Sequence, residues 1–190
     1  VVIGRDMRDF FETAIAIEPT RLELIANWPT LSFGDSSSGS SASGRAVTAA
    51  SEAPSHRIVR FVGNLGRVQG LYPALLALRQ TDPSVWNVSI EIFGRGAELQ
   101  KIEKLSEGWA DVKVFGSFKS EKQVEVISDC DVALVVLAKG MYGLGVPSKA
   151  YNSMAAGKPI LYLGPPKSEI DCLIREHDFG WSFDWSNLAG

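Results

Sequence analysis

Unbroken apolar runs alternate with helical stripes along this chain, and glycines punctuate the boundaries. Val132–Leu137 (VALVVL) and Ile160–Leu163 (ILYL) are continuous apolar stretches, the pattern of strands buried on both faces of a parallel sheet. Arg57–Val62 (RIVRFV) and Asp111–Phe115 read as further strands. Asn87–Phe93 (NVSIEIF) alternates apolar and polar residues, so one of its faces is better buried. Between the strands the period lengthens. Leu71–Gln80 carries Leu71, Leu75, Leu76 and Leu78 as an apolar helix face; Ala97–Ser106 reads as a charged, solvated helix; Ser120–Ser128 and Ser168–Glu176 read as two more. At the start, Val1–Ile3 and Arg21–Ala26 read as short strands around a helix, Met7–Thr13, with Asp6 as its N-cap; Gly180–Phe183 reads as a last strand. Strands alternating with helices predict an α/β fold, a doubly wound, mostly parallel sheet with helices on both faces.

One stretch breaks the alternation. Gly34–Pro54 (GDSSSGSSASGRAVTAASEAP) is dominated by Ser, Gly and Ala, with too few large apolar groups to offset the entropy of ordering it. It is expected to be a flexible insertion, residues 34–54, within one domain spanning 1–190, because the pattern resumes directly afterwards.

Composition narrows the function classes. A net charge of −3 gives no basic surplus, which argues against a nucleic-acid partner. Cys130 and Cys172 form no CxxC motif and no Cys/His cluster, and read as buried reduced thiols. His56 and His177 lack metal-ligand spacing and read as surface residues, so no metal is expected. No stretch reads as a signal peptide or a bilayer-spanning helix. The expected location is the cytoplasm, with at most a peripheral association at the inner face of the membrane.

The candidate chemistry lies in the turns. In Met141–Pro159 (MYGLGVPSKAYNSMAAGKP), Gly143-Leu144-Gly145 lets the backbone turn tightly, and Pro147 and Ser148 open a helix. Lys149 then sits in the first turn, where a cation opposes the helix dipole unless an anion lies between them. The pattern fits a phosphate-sized anion site, and equally an ordinary capped helix with a solvated lysine. Arg57–Val62 running into GNLGRVQG (Gly63–Gly70) and then a helix is a strand, glycine turn and helix of the phosphate-binding kind, though neither GxGxxG nor a Walker loop. No carboxylate pair, Ser/His/Asp set or metal cluster is visible, which argues against an autonomous hydrolase or metalloenzyme.

PSKAYNSMAAGKP resembles the signature near the C-terminus of family 4 glycosyltransferases, which have the GT-B fold, and GLGVPSK resembles a bacterial polysaccharide and O-antigen assembly branch of that family. IGRDM followed by ANWP resembles the opening of the family's C-terminal Rossmann-like domain, GNLGRVQG its G-R-L-x-x-x-K-G segment, and FGRG its G-x-G turn facing the nucleotide. The segments occur in the family's order. The resemblance implies a Rossmann-like donor-binding half, with the N-terminal acceptor-binding half absent from this chain. It implies that Gly63, Asn64, Gly66, Gly94, Gly96, Phe115, Gly116, Gly143, Leu144, Gly145, Ser148 and Asn152 surround a nucleotide-sugar donor. The Phe115 side chain is as well read as core.

Departures from the family pattern matter. Asn64 and Gln69 stand where the family has a diphosphate-binding arginine and lysine, leaving Arg67 and Lys149 as the available leaving-group cations. In the family's E-x7-E motif the two glutamates are here Leu144 and Asn152. Asn152 keeps a hydrogen bond for a ribose hydroxyl, whereas Leu144 cannot replace a carboxylate, which leaves retention at the anomeric carbon open. An apolar residue there suits a deoxy or N-acetylated sugar. The expected function is transfer of a sugar, from a UDP-linked donor as most related enzymes use, to a glycan or lipid-linked acceptor, with no cofactor. A GT-B nucleotide-sugar epimerase and a non-catalytic nucleotide-binding module are the alternatives.

Overall fold

The computed structural model describes residues 1–33, 56–81 and 87–186. The insertion at 34–54 lies outside them. The strands are β1 (Arg57–Val62), β2 (Val88–Phe93), β3 (Val112–Gly116), β4 (Val132–Val136), β5 (Ile160–Leu163) and β6 (Gly180–Phe183). The helices are α1 (Arg5–Thr13), α2 (Leu71–Leu78), α3 (Leu99–Ser106), α4 (Gln123–Ser128), α5 (Lys149–Ala155) and α6 (Glu169–His177). The strands make one sheet in the order β3-β2-β1-β4-β5-β6, with every neighbouring pair parallel. The order reverses direction between β1 and β4, so the sheet is doubly wound and has a switch point there.

Each face carries its own core. Val59 and Phe61 of β1, Ile90 and Ile92 of β2, and Leu134 and Val136 of β4 pack with Leu71, Leu75 and Ile102 of α2 and α3. Val135, Ile160 and Tyr162 pack on the other face with Ala150 and Tyr151 of α5 and Ile170 and Ile174 of α6. The unbroken apolar runs are therefore needed on β4 and β5, which are covered on both sides. In α2, Leu71, Leu75 and Leu78 share a stripe and pack inward, while Leu76 turns about 100° away and is 42% exposed, against the expectation that it joins the face.

The opening of the chain also differs from expectation. Val1–Ile3 and Arg21–Ala26 are not sheet strands; they meet in a single parallel bridge, Val2 to Leu24. The second segment is mostly exposed, although Leu22, Leu24 and Ala26 alternate along it, because no strand of the sheet lies beside it. Helix α1 begins at Arg5, with Gly4 rather than Asp6 as its N-cap. Asp6 is 1% exposed, and its carboxylate accepts from the Gly143 N–H on the loop before α5. Arg5 ties the same helix to α6, its Nε 3.1 Å from Glu169 Oε2.

Candidate functional site

A cleft of about 750 Å³ opens where the sheet switches direction. It takes in the turns after β1 (Gly63, Asn64), β2 (Gly94, Arg95) and β3 (Ser117, Phe118) together with the start of α5 (Ser148, Lys149). Open parallel sheets bind ligands in this position, beyond the carboxyl ends of the strands. A second hollow, about 670 Å³, lies at the opposite end of the sheet beside Pro159 and Gly180, away from these turns.

The turns are locked together before any ligand arrives. Gly63 N–H donates to Phe93 O (2.9 Å), Leu65 N–H to Arg95 O (2.8 Å) and Gly94 N–H to Gly116 O (2.6 Å). A side chain at Gly94 would overlap the Gly63 carbonyl, so glycine is required for this close approach. The expected cradle of backbone donors is therefore partly spent within the chain, because the turns extend the hydrogen bonding of the parallel ladder. Charge in the cleft must come mainly from side chains.

Lys149 is the unusual one. The residue as a whole is half-buried, but its Nζ is shut off from solvent and has no hydrogen-bond partner among the described residues. It reaches across the end of β1, 3.6 Å from the centre of the Phe61 ring, and a Cβ on Gly63 would lie 3.4 Å from Nζ. Burial lowers its pKa from the ordinary 10.5 to about 7. That fall corresponds to roughly 5 kcal/mol against the ammonium form. The attraction of a desolvated cation to the ring face returns about 2 kcal/mol or somewhat more, so it offsets only part of the cost of burial. The ordinary reading, a solvated lysine on a capped helix, is thereby overturned.

Two further cations line the cleft that the sequence did not single out. Arg60, 6% exposed in the middle of β1, donates to Glu91 Oε2 through Nε (2.9 Å) and to Val126 O through Nη1 (2.8 Å), and lies 5.0 Å from the Phe93 ring centre. Its signal was a charged residue inside an otherwise apolar parallel strand. Arg95 is exposed on the Gly94–Gly96 turn, and its guanidinium has neither hydrogen bond nor ion pair among the described residues. Arg60, Arg95 and Lys149 line the cleft, and no carboxylate does among the described residues. The electrostatics favour an anion.

The other expected residues divide. Gly63, Asn64, Gly94, Ser148, Lys149 and Asn152 line the cleft. Gly66, Gly96, Gly116 and Gly145 stand behind its wall, and Arg67 is exposed outside it. Phe115 is not core; it is 49% exposed and stacks on Phe93 with ring centres 4.5 Å apart. Leu144 is 50% exposed on the loop before α5, outside the cleft wall. Ser148 makes no capping bond, because its own backbone is already helical. Asn152 Oδ1 accepts from Thr30 N (2.8 Å) and Leu31 N (3.3 Å), and its Nδ2 donates to Thr30 Oγ1 (3.2 Å). The side chain expected to hold a ribose thus pins the 30–31 segment over α5, and only one amide hydrogen remains for a ligand. Gln69, at the family's lysine position, turns its Oε1 into a buried place with no partner.

The loop from β4 to α5 is held from behind by α1. Gly143 N–H donates to Asp6 Oδ2 (3.4 Å), and Tyr142 O–H donates to Asp9 Oδ2 (3.0 Å). Gly143 has φ +70°, and a Cβ there would come 2.7 Å from Phe10 Cγ. Burial pushes the Asp6 carboxyl up from its ordinary pKa.

The fold recurs in known proteins. No family model matches the chain. It is 35% identical over 96% of its length to the protein named "Probable glycosyltransferase WbjE" of Pseudomonas aeruginosa, and it spans 44% of that relative. Among solved structures, WaaG, a glycosyltransferase involved in lipopolysaccharide biosynthesis, superposes on 98% of the chain with a TM-score of 0.66 at 16% identity, covering 50% of WaaG. The fold is that of a GT-B glycosyltransferase domain. S. aureus TarM, solved with fondaparinux, alpha-GlcNAc-glycerol and UDP, superposes on 99% of the chain with a TM-score of 0.65 at 13% identity, covering 34% of TarM. In this fold the cleft lies at the sheet's switch point, and the segments GNLGRVQG, FGRG and PSKAYNSMAAGKP each contribute residues to its lining, whereas IGRDM and ANWP do not.

Proposed function

We propose that this chain is the donor-binding part of a glycosyltransferase that moves a sugar from a UDP carrier to a glycan or lipid-linked acceptor, in bacterial polysaccharide assembly. The observation that carries the reading is the cleft at the switch point, lined by three cations and by no carboxylate among the described residues. Transfer breaks the bond between the sugar's anomeric carbon and the diphosphate, and the leaving oxygen takes the electron pair. Lys149 and Arg95 are the groups placed to stabilise that charge, a task that fixed cations perform when they are organised before the reaction. Arg95 takes the part expected of Arg67, because it lines the cleft and has no ion pair among the described residues. The UDP found with TarM and the 35% identity to a glycosyltransferase support the donor class. Among the described residues no helix is long and apolar enough to cross a membrane.

The test is glycosyl transfer by the full-length protein with a panel of nucleotide sugars, alongside calorimetry with UDP, GDP and ADP. UDP is expected to bind most tightly. Tighter GDP or ADP binding would reject the base assignment. Arg95→Ala is expected to weaken UDP roughly fivefold, equivalent to about 1 kcal/mol. Recovery in an Asn64→Arg, Arg95→Ala double variant would show that the two turns serve one anion.

A further inference from the structure

Among the described residues the Lys149 amine has nothing to keep it charged. Its Nζ is closed to water, lacks a hydrogen-bond partner among those residues and rests 3.6 Å from the Phe61 ring centre. The described ionisable groups around it offer no counter-charge. Arg95 on the turn after β2 and Arg60 on β1 share its sign, and the carboxylates of Glu91 and Asp129 are directed at Arg60 (Asp129 Oδ2 lies 3.7 Å from its Nη2). The segment after α4 presents the Cys130 thiol, whose pKa burial pushes up, and β4 presents only Ala133 and Leu134. A buried ammonium without a partner is costly, and a lysine in that position gives up its proton more readily than its surface counterparts.

We propose that Lys149 rests uncharged on the Phe61 ring and takes up a proton when a nucleoside diphosphate enters the cleft, so that donor binding and proton uptake are one event. The proposal rests on the reading of the cleft as a nucleotide-sugar site. The balance is simple: the Nζ lone pair accepts one proton from solvent, and the ammonium then donates to phosphate oxygens. No bond in the ligand changes in this step. When the diphosphate leaves, the proton returns to solvent. A pKa of about 7 in the empty protein sets the range over which the coupling is felt.

Calorimetric titration of the full-length protein with UDP at pH 8, where UDP is fully ionised, counts the proton if it is run in two buffers of different ionisation enthalpy. Uptake of close to one proton is expected. UDP affinity should fall about tenfold per pH unit between pH 7 and 9. Lys149→Arg, whose guanidinium stays charged, should take up no proton and show a flat affinity profile. Binding without uptake in the native protein would overturn the proposal and leave the diphosphate reading standing. Uptake that persists in Lys149→Arg would place the proton elsewhere and also overturn it. If UDP does not bind, or binds Lys149→Ala as tightly as the native protein, both the proposal and the diphosphate reading fall.

Discussion

Two buried cations face the same cleft from regions built on opposite terms. Around Arg60, in the body of the sheet, the guanidinium fork is satisfied by Glu91 and a main-chain carbonyl and backed by an aromatic ring. Around Lys149, at the end of β1, the amine has a ring beneath it and no acceptor among the described residues. The first is a closed arrangement that holds two strands and α4 in register. The second is an open one, stable only at a cost, which an incoming anion would relieve. Burial alone therefore does not distinguish a structural charge from a functional one; what its donors touch does.

The comparison can be broken most easily at Arg60. Arg60→Ala leaves Glu91 half-buried without its partner, and the expected loss is about 3 kcal/mol. In a domain of this size that lowers the melting temperature by roughly 6–12 °C. An Arg60→Met, Glu91→Leu double variant should recover most of the loss, and an unchanged melting temperature in the single variant would mean that the pair is not structural. Next in size, Lys149→Ala should weaken UDP by roughly 1.5–3 kcal/mol, a tenfold to hundredfold change in Kd, while uridine binds as before. Calorimetry with both ligands checks it.

Stability against pH sharpens the contrast further. The folded pKa of Lys149, about 7, lies below its unfolded value of 10.5. Between those values the unfolded chain binds the extra proton, so this group's penalty is full below pH 7 and shrinks as pH rises. The stability of the native protein relative to Lys149→Met should therefore improve by roughly 2 kcal/mol from pH 6 to pH 8.5 in denaturant titrations. The opposite slope would mean that the amine has a partner in solution. The smallest effect is reserved for Arg67→Ala. This side chain is exposed outside the cleft, and UDP affinity should change by less than about twofold.

How much of this was legible follows from what each signal measures. Apolar runs report burial, so β4 and β5 were readable, and the alternation of strands with helices was enough to predict a doubly wound parallel sheet. Val1–Ile3 was misplaced because a short apolar segment looks the same whether it joins a sheet or makes one bridge. Gly63, Gly94 and Lys149 were legible from glycine spacing and from a cation at an awkward place in a helix. Arg95 carries no such signal, since an arginine between two turn glycines has the same pattern whether it faces a cleft or bulk solvent. The engagement of Asn152 with Thr30 and Leu31 was not readable, since it joins residues far apart in sequence through a geometry that only the fold creates.

Helix α1 has a consequence for anyone dissecting this domain. It adds no strand to the sheet, and a chain cut to begin at Arg57 would keep every ladder and the bulk of both cores. Yet Asp6, Asp9 and Phe10 grip the loop that delivers Lys149, and Arg5 anchors that grip to α6. Such a trimmed protein would pass a circular-dichroism check and still present its lysine on an unbraced hinge. In mechanical terms, a helix 133 to 137 residues away in sequence is the splint of the loop before α5.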